Sequence, residues 1–207
     1  TGQILRDDFK FEVTDVQKKL GDLFVHYGKV ISGSIKLDQD VEMKIDVSRR
    51  NDLRAYHSAT HLLHESLRRV LGDHVTQKGS LVNDNILRFD FSHFTKISDE
   101  EILRINEIVN RKIFENISVE ILENISIKNA KEMGAMALFG EKYSDKVRVV
   151  TIDENFSIEL CGGTHVSTTA EIGLFKIISE NSISSGIRRI EALTSIGYNN
   201  FSAKESD

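Results

Sequence analysis

Leu53-Arg54-Ala55-Tyr56-His57-Ser58-Ala59-Thr60-His61-Leu62-Leu63-His64-Glu65-Ser66-Leu67 is the stretch on which the fold turns. Leu53, Tyr56, Thr60, Leu63, Leu67 and Val70 recur at alternating spacings of three and four residues, the signature of one helix face. The pattern predicts a helix over about 49–71, stopped by Gly72. Upstream, residues 1–47 read as short strands. The segments 9–13 and 23–30 are rich in β-formers, and Gly21-Asp22, Gly28 and Gly33 punctuate them. Val41, Met43, Ile45 and Val47 alternate with charged residues, as a half-buried strand should.

Downstream, Gln77-Lys78-Gly79-Ser80 reads as a loop, and 86–91 as a strand with Leu87, Phe89 and Phe91 on one face. Ser98-Asp99-Glu100-Glu101 is a capping box opening a second helix through Ile102, Ile105, Ile108 and Val109. Further strands are expected at 119–123, 147–152, 156–160, 174–179 and 187–193. A short helix is expected at 129–139, weakened by Gly134, and a frayed polar tail at 199–207. Helices packed on a mostly antiparallel sheet make the class α+β.

A chain of 207 residues can build one good core or two small ones. No apolar run approaches the ~20 residues of a membrane span, and no signal-peptide pattern opens the chain. Its single cysteine excludes an internal disulfide and fits a reducing, cytoplasmic setting. Thr1 in place of an initiator methionine reads as a piece of something larger. The net charge of −5 argues against a general nucleic-acid binder, but 49–94 holds 7 basic against 5 acidic residues. There Arg49, Arg50, Arg54, Arg68, Arg69, Lys78 and Arg88 are candidates for phosphate contact. A solvated helix face is the competing reading of each.

Two clusters carry the chemistry. His57 and His61 lie four apart on the helix and share a face. Cys161-Gly162-Gly163-Thr164-His165 adds the only cysteine and a histidine at the same separation. Three imidazoles and one thiolate suit tetrahedral zinc. A buried cysteine and a satisfied pair of histidines are the bland alternatives. His64 leaves the helical pair open. At ~1.5 Å per residue it stands roughly 10 Å from His57 along the axis, too far for one ion. The pair is therefore His57 with His61, or His61 with His64.

Six motifs then occur in order: His57-Ser58-Ala59-Thr60-His61-Leu62-Leu63-His64, Gln77-Lys78-Gly79-Ser80, Arg88-Phe89-Asp90-Phe91, Gly134-Ala135-Met136-Ala137-Leu138-Phe139-Gly140-Glu141-Lys142-Tyr143, Cys161-Gly162-Gly163-Thr164-His165 and Arg188-Arg189-Ile190-Glu191-Ala192. Together they resemble the editing domain of bacterial alanyl-tRNA synthetases over nearly the whole chain. The resemblance implies one Zn²⁺ per chain on His57, His61, Cys161 and His165. It implies a core shared with the threonyl-tRNA synthetase editing domain (48–198) behind a small β-barrel-like domain (1–47). The Gly-Gly-Gln motif of the family is absent before Thr1, so that barrel-like domain is expected to be incomplete. The implied activity is hydrolysis of mischarged Ser-tRNA(Ala) and Gly-tRNA(Ala), with the tRNA(Ala) acceptor end as partner. ATP-dependent charging would belong to other synthetase domains.

An aminoacyl ester is already reactive, so positioning and a polarised water suffice. Gln77, Thr60 and Cys161 are the candidate catalytic residues, and Gly162, Gly163, Arg188 and Lys78 the candidate substrate contacts. The Gly162 and Gly163 amides can approach a ligand closely, although a plain bend explains them equally. Thr60 on the core stripe is also a packing residue, and Arg188 a surface one. Serine can be told from alanine by groups left unpaired without its hydroxyl, but glycine escapes that rule. A metallopeptidase is disfavoured because Ser58 stands where its glutamate base is needed. A free-standing editing protein and a purely structural zinc module that binds nucleic acid are the two remaining rivals.

Overall fold

Residues 1–137, 143–195 and 197 are described by a computed structural model, whose elements fall into two units, Thr1–Arg50 and Asn51–Asp207. In the first, β1 (Gly2–Arg6), β2 (Phe9–Lys19), β3 (Leu23–Ser32) and β4 (Glu42–Ile45) form an antiparallel sheet ordered β3-β2-β1-β4. Leu20 and Gly21 both take positive φ, and the reversal pairs Lys19 with Leu23. β2 thus runs six residues beyond the expected strand at 9–13. Gly28 is obligatory: a Cβ there would lie 1.8 Å from the Glu12 carbonyl oxygen. The expected half-buried strand is corrected. Met43 is 65% exposed and Val47 61%. β4 is a four-residue edge strand that, among the described residues, pairs with β1 alone, and Val47 already begins the following helix.

That helix, α1 (Val47–Leu71), ends where expected, with Gly72 at φ +114° and its N–H on the Arg68 carbonyl. Its stripe packs as the spacing requires. Tyr56, Leu63 and Leu67, joined by Ala59 and Leu62, are fully buried in the main core. β5 (Gln77–Val82), β6 (Leu87–Ser92), β10 (Phe175–Ser184) and β11 (Ile187–Thr194) make an antiparallel sheet ordered β10-β11-β6-β5. Its Leu87, Phe89, Phe91, Ile190 and Ala192 meet α1 and α2 (Asp99–Phe114) in that core, which is α+β as expected. The loop expected at Gln77-Lys78-Gly79-Ser80 is corrected to a strand. Polar and glycine residues hid it, but β5 pairs with β6 through a bulge between Gln77 and Gly79.

The capping box of α2 forms as the sequence predicts: Ser98 Oγ accepts from the Glu101 N–H, and Glu101 accepts from the Ser98 N–H. From the same helix, Asn106 and Asn110 bond the backbone of Phe175 and Ile177, satisfying groups on edge strand β10. β7 (Val119–Ser126), β8 (Lys146–Ile152) and β9 (Ser157–Leu160) form a second antiparallel sheet. The helix expected at 129–139 is instead α3 (Ile127–Glu132), after which Gly134 turns at φ +82°. Leu138, Phe139, Gly140, Glu141 and Lys142 of the fourth motif lie outside the described residues, as does the tail 199–207.

Candidate metal centre

α1 turns His57 and His61 to one side, and the segment leaving β9 brings Cys161 and His165 to them. The four donor atoms lie within 4.8 Å of one another. Cys161 Sγ is 3.5 Å from His57 Nε2 and 3.4 Å from His165 Nε2. Donors that share an ion through bonds of about 2.0–2.3 Å stand this close. Burial alone would push the Cys161 thiol up, but the neighbouring His165, His57 and His61 bring it down to about 3. Burial holds His165 at about 4, against the pull of Cys161. At neutral pH the site thus offers a thiolate and a neutral imidazole, the states that bind metal. The group could hold a metal ion, and the helical pair is His57 with His61.

Three residues that sequence reasoning missed hold these donors. Ser58 Oγ sits 3.2 Å from His165 Nδ1 and accepts the Val166 N–H, which orients the ring with Nε2 toward the cluster. Glu159, 5% exposed, places Oε2 3.5 Å from His61 Nδ1. Burial alone would lower the His61 pKa, but the charge of Glu159 together with the contact to Cys161 raises it. Arg148 donates to the Cys161 and Gly163 carbonyls and clamps the turn. Glu159 was legible in principle, since it stands two residues before Cys161 in extended chain, where side chains share a face.

Gly163 is required by the cluster itself: a Cβ there would fall 1.9 Å from His57 Cε1. Gly163→Ala should displace the His57 ring and lower metal affinity by roughly tenfold, the scale of a local overpacking strain. Competition with a chromophoric chelator measures this. Unchanged affinity would detach His57 from the cluster.

One cavity of about 330 Å³ has His57, Thr60, His61, Gln77, Cys161, Gly162 and Gly163 in its wall, with His64, Ser80, Glu159 and Leu160. Thr60 donates its hydroxyl to the Tyr56 carbonyl within α1, leaving its oxygen free only to accept. Gly162 faces open space. Lys78 and Arg188 are not in this wall. Lys78 is exposed, and Arg188 is bidentate to Glu180 on β10. A larger cavity, about 620 Å³, lies within the first unit around Thr1, Lys44 and Arg49. Three donors of the metal-type cluster, His57, His61 and Cys161, line the smaller one, so the chemistry points there.

Residues 147–191 match the family described as threonyl and alanyl tRNA synthetase second additional domain. The chain is 53% identical over 190 residues to the Alanine--tRNA ligase of Desulforamulus reducens, covering 92% of itself and 21% of that protein. It is 54% identical over 198 residues to that of Parvibaculum lavamentivorans, at 92% and 22% coverage. For Cytophaga hutchinsonii the figures are 51% over 194 residues, at 94% and 22%. The fold and cluster thus accompany an additional domain of the tRNA synthetase editing type. The chain is an alanyl-tRNA-synthetase-related domain, spanning about a fifth of the length of the curated relatives it matches.

Proposed function

We propose that this domain hydrolyses the ester that joins serine, or glycine, to mischarged tRNA(Ala). The observation that carries the reading is one cavity, lined by His57, His61 and Cys161 of the four-donor cluster together with Gln77 and Thr60, in a chain related to Alanine--tRNA ligases. At about 330 Å³ it suits an aminoacyl group and part of a terminal nucleoside. Zinc, one per chain, is the metal we assign, because three imidazoles and a thiolate match its preferred set. When bound it supplies a fixed positive charge and Lewis acidity.

His57, His61, Cys161 and His165 would together complete a four-donor shell, so the remaining work falls to the rest of the chain. Gln77 and Gly162 line the same cavity, and the Gln77 amide and the Gly162 N–H are the donors we assign to the ester carbonyl. Thr60 and Glu159 add acceptors in the cavity wall. Water attacks the carbonyl carbon, the bond to the ribose oxygen breaks, and that oxygen takes up a proton. The products are a free amino acid and uncharged tRNA. Lys78, exposed in the basic 49–94 region, would meet acceptor-end phosphates, and Arg188 would need to leave Glu180 to do so. The body of the tRNA would be held by the remaining domains of a longer cytoplasmic synthetase. No described helix is long and apolar enough to cross a membrane.

Single-turnover assays on the metal-loaded protein should release serine and glycine from tRNA(Ala) at least tenfold faster than alanine. Release of serine at no more than the buffer rate would overturn the reading.

A further inference from the structure

We propose that His64 selects the aminoacyl group, with Nε2 accepting a hydrogen bond from the serine hydroxyl. The proposal rests on the hydrolase reading above and adds a residue outside the metal cluster. His64 is 2% exposed and borders the cavity, yet among the described residues Nε2 has no hydrogen-bond partner and Nδ1 has only the Glu159 carboxylate beside it. Buried polar groups in folded proteins are nearly always paired, so an orphan on a cavity wall marks a place for a ligand atom. Phe89 covers one side of the ring, with centroids 5.2 Å apart, and offers no acceptor of ordinary strength.

Glu159 decides which nitrogen is left. Its Oε1 lies 3.5 Å from His64 Nδ1, while Oε2 lies 3.5 Å from His61 Nδ1. A carboxylate beside Nδ1 favours the tautomer with the proton there, so the lone pair sits on Nε2. One buried carboxylate thus orients a metal-type ligand and a substrate reader on the same helix. Thr60, whose hydroxyl donates to the Tyr56 carbonyl, keeps an acceptor oxygen in the same wall, but a neutral imidazole nitrogen is the stronger acceptor of the two.

This acceptor also accounts for glycine. Serine satisfies Nε2 through its hydroxyl. Alanine places a methyl there, which cannot donate, and its carbon keeps a water molecule from the position of the serine oxygen. Glycine lacks that carbon, so a water can occupy the position and donate in its stead. Serine and glycine pass, and alanine leaves a buried nitrogen unpaired.

The test compares Ser-, Gly- and Ala-tRNA(Ala) in single-turnover hydrolysis by the unaltered protein, His64→Leu and His64→Gln, each checked for fold by circular dichroism and for bound zinc. His64→Leu should slow the seryl ester by about 10–100-fold, with little change for the alanyl ester and full zinc retained. His64→Gln, whose amide oxygen reaches the same region, should recover much of the loss. Equal slowing of all three esters, or an unchanged serine-to-alanine ratio in His64→Leu, overturns the proposal. A non-hydrolysable pair, seryl and alanyl amides of 3′-aminoadenosine, tests it without hydrolysis. The unaltered protein should prefer the seryl amide by about tenfold in calorimetry and His64→Leu should not. Equal affinity in the unaltered protein overturns the role of His64, whatever the fate of the hydrolase reading.

Discussion

His61→Ala should take the dialysed protein from one zinc per chain to almost none. The helix supplies two of the four donors, and His61 is the more enclosed of them, at 4% exposure. Zinc sites of this kind bind with about 10–16 kcal/mol, so one donor of four carries roughly 3 kcal/mol, on the order of a hundredfold in affinity. Removing His61 also strands Glu159, whose Oε2 would face an empty pocket in place of an imidazole. Metal analysis after exhaustive dialysis reads the result directly, and His64→Leu serves as the control that keeps its zinc. A His61→Ala protein that still holds one zinc would show that the cluster is not the metal site.

The helix was legible because its stripe is set by local geometry: residues three and four apart share a face in any α-helix. The same rule made His57 and His61 a pair. Their connection to Cys161 and His165 was a different matter, since composition offered only matching residue types a hundred positions apart. The ordered motifs supplied that link, and the structure brings the four donors together. What stayed illegible depends on tertiary pairing. Gln77 to Ser80 carries no β-pattern, yet β6 offers a ladder and the segment takes it. The exposed side chains of β4 show the converse, an alternating pattern with little packed on it. His64 was visible only as a rival ligand. Its position against Glu159 and Phe89 follows from where β9 and β6 pass α1.

Glu159→Gln should weaken zinc binding by about 10–100-fold while leaving the four donors in place, the usual cost of losing a carboxylate behind a ligating histidine. The substitution keeps the shape of the side chain and removes its charge. Glutamine has one acceptor oxygen where two imidazoles each present a nitrogen at 3.5 Å, so at least one ring loses its orienting partner. The metal-free protein offers an independent readout. Burial alone would raise the Glu159 pKa, but the charge of His61 and the contacts with His64 and Ser157 bring it from 4.5 to about 2. A carboxyl depressed on folding stabilises the folded state above its unfolded pKa, and that contribution is lost as pH falls through the folded value. Acid unfolding of the metal-free protein between about pH 4.5 and 2 should therefore be steeper in the unaltered protein than in Glu159→Gln. Chelator competition at neutral pH measures the first effect, and fluorescence- or dichroism-monitored acid titration the second. Unaltered zinc affinity in Glu159→Gln would mean that His61 is oriented by the helix alone, and Glu159 would then be left as a partner of His64 only.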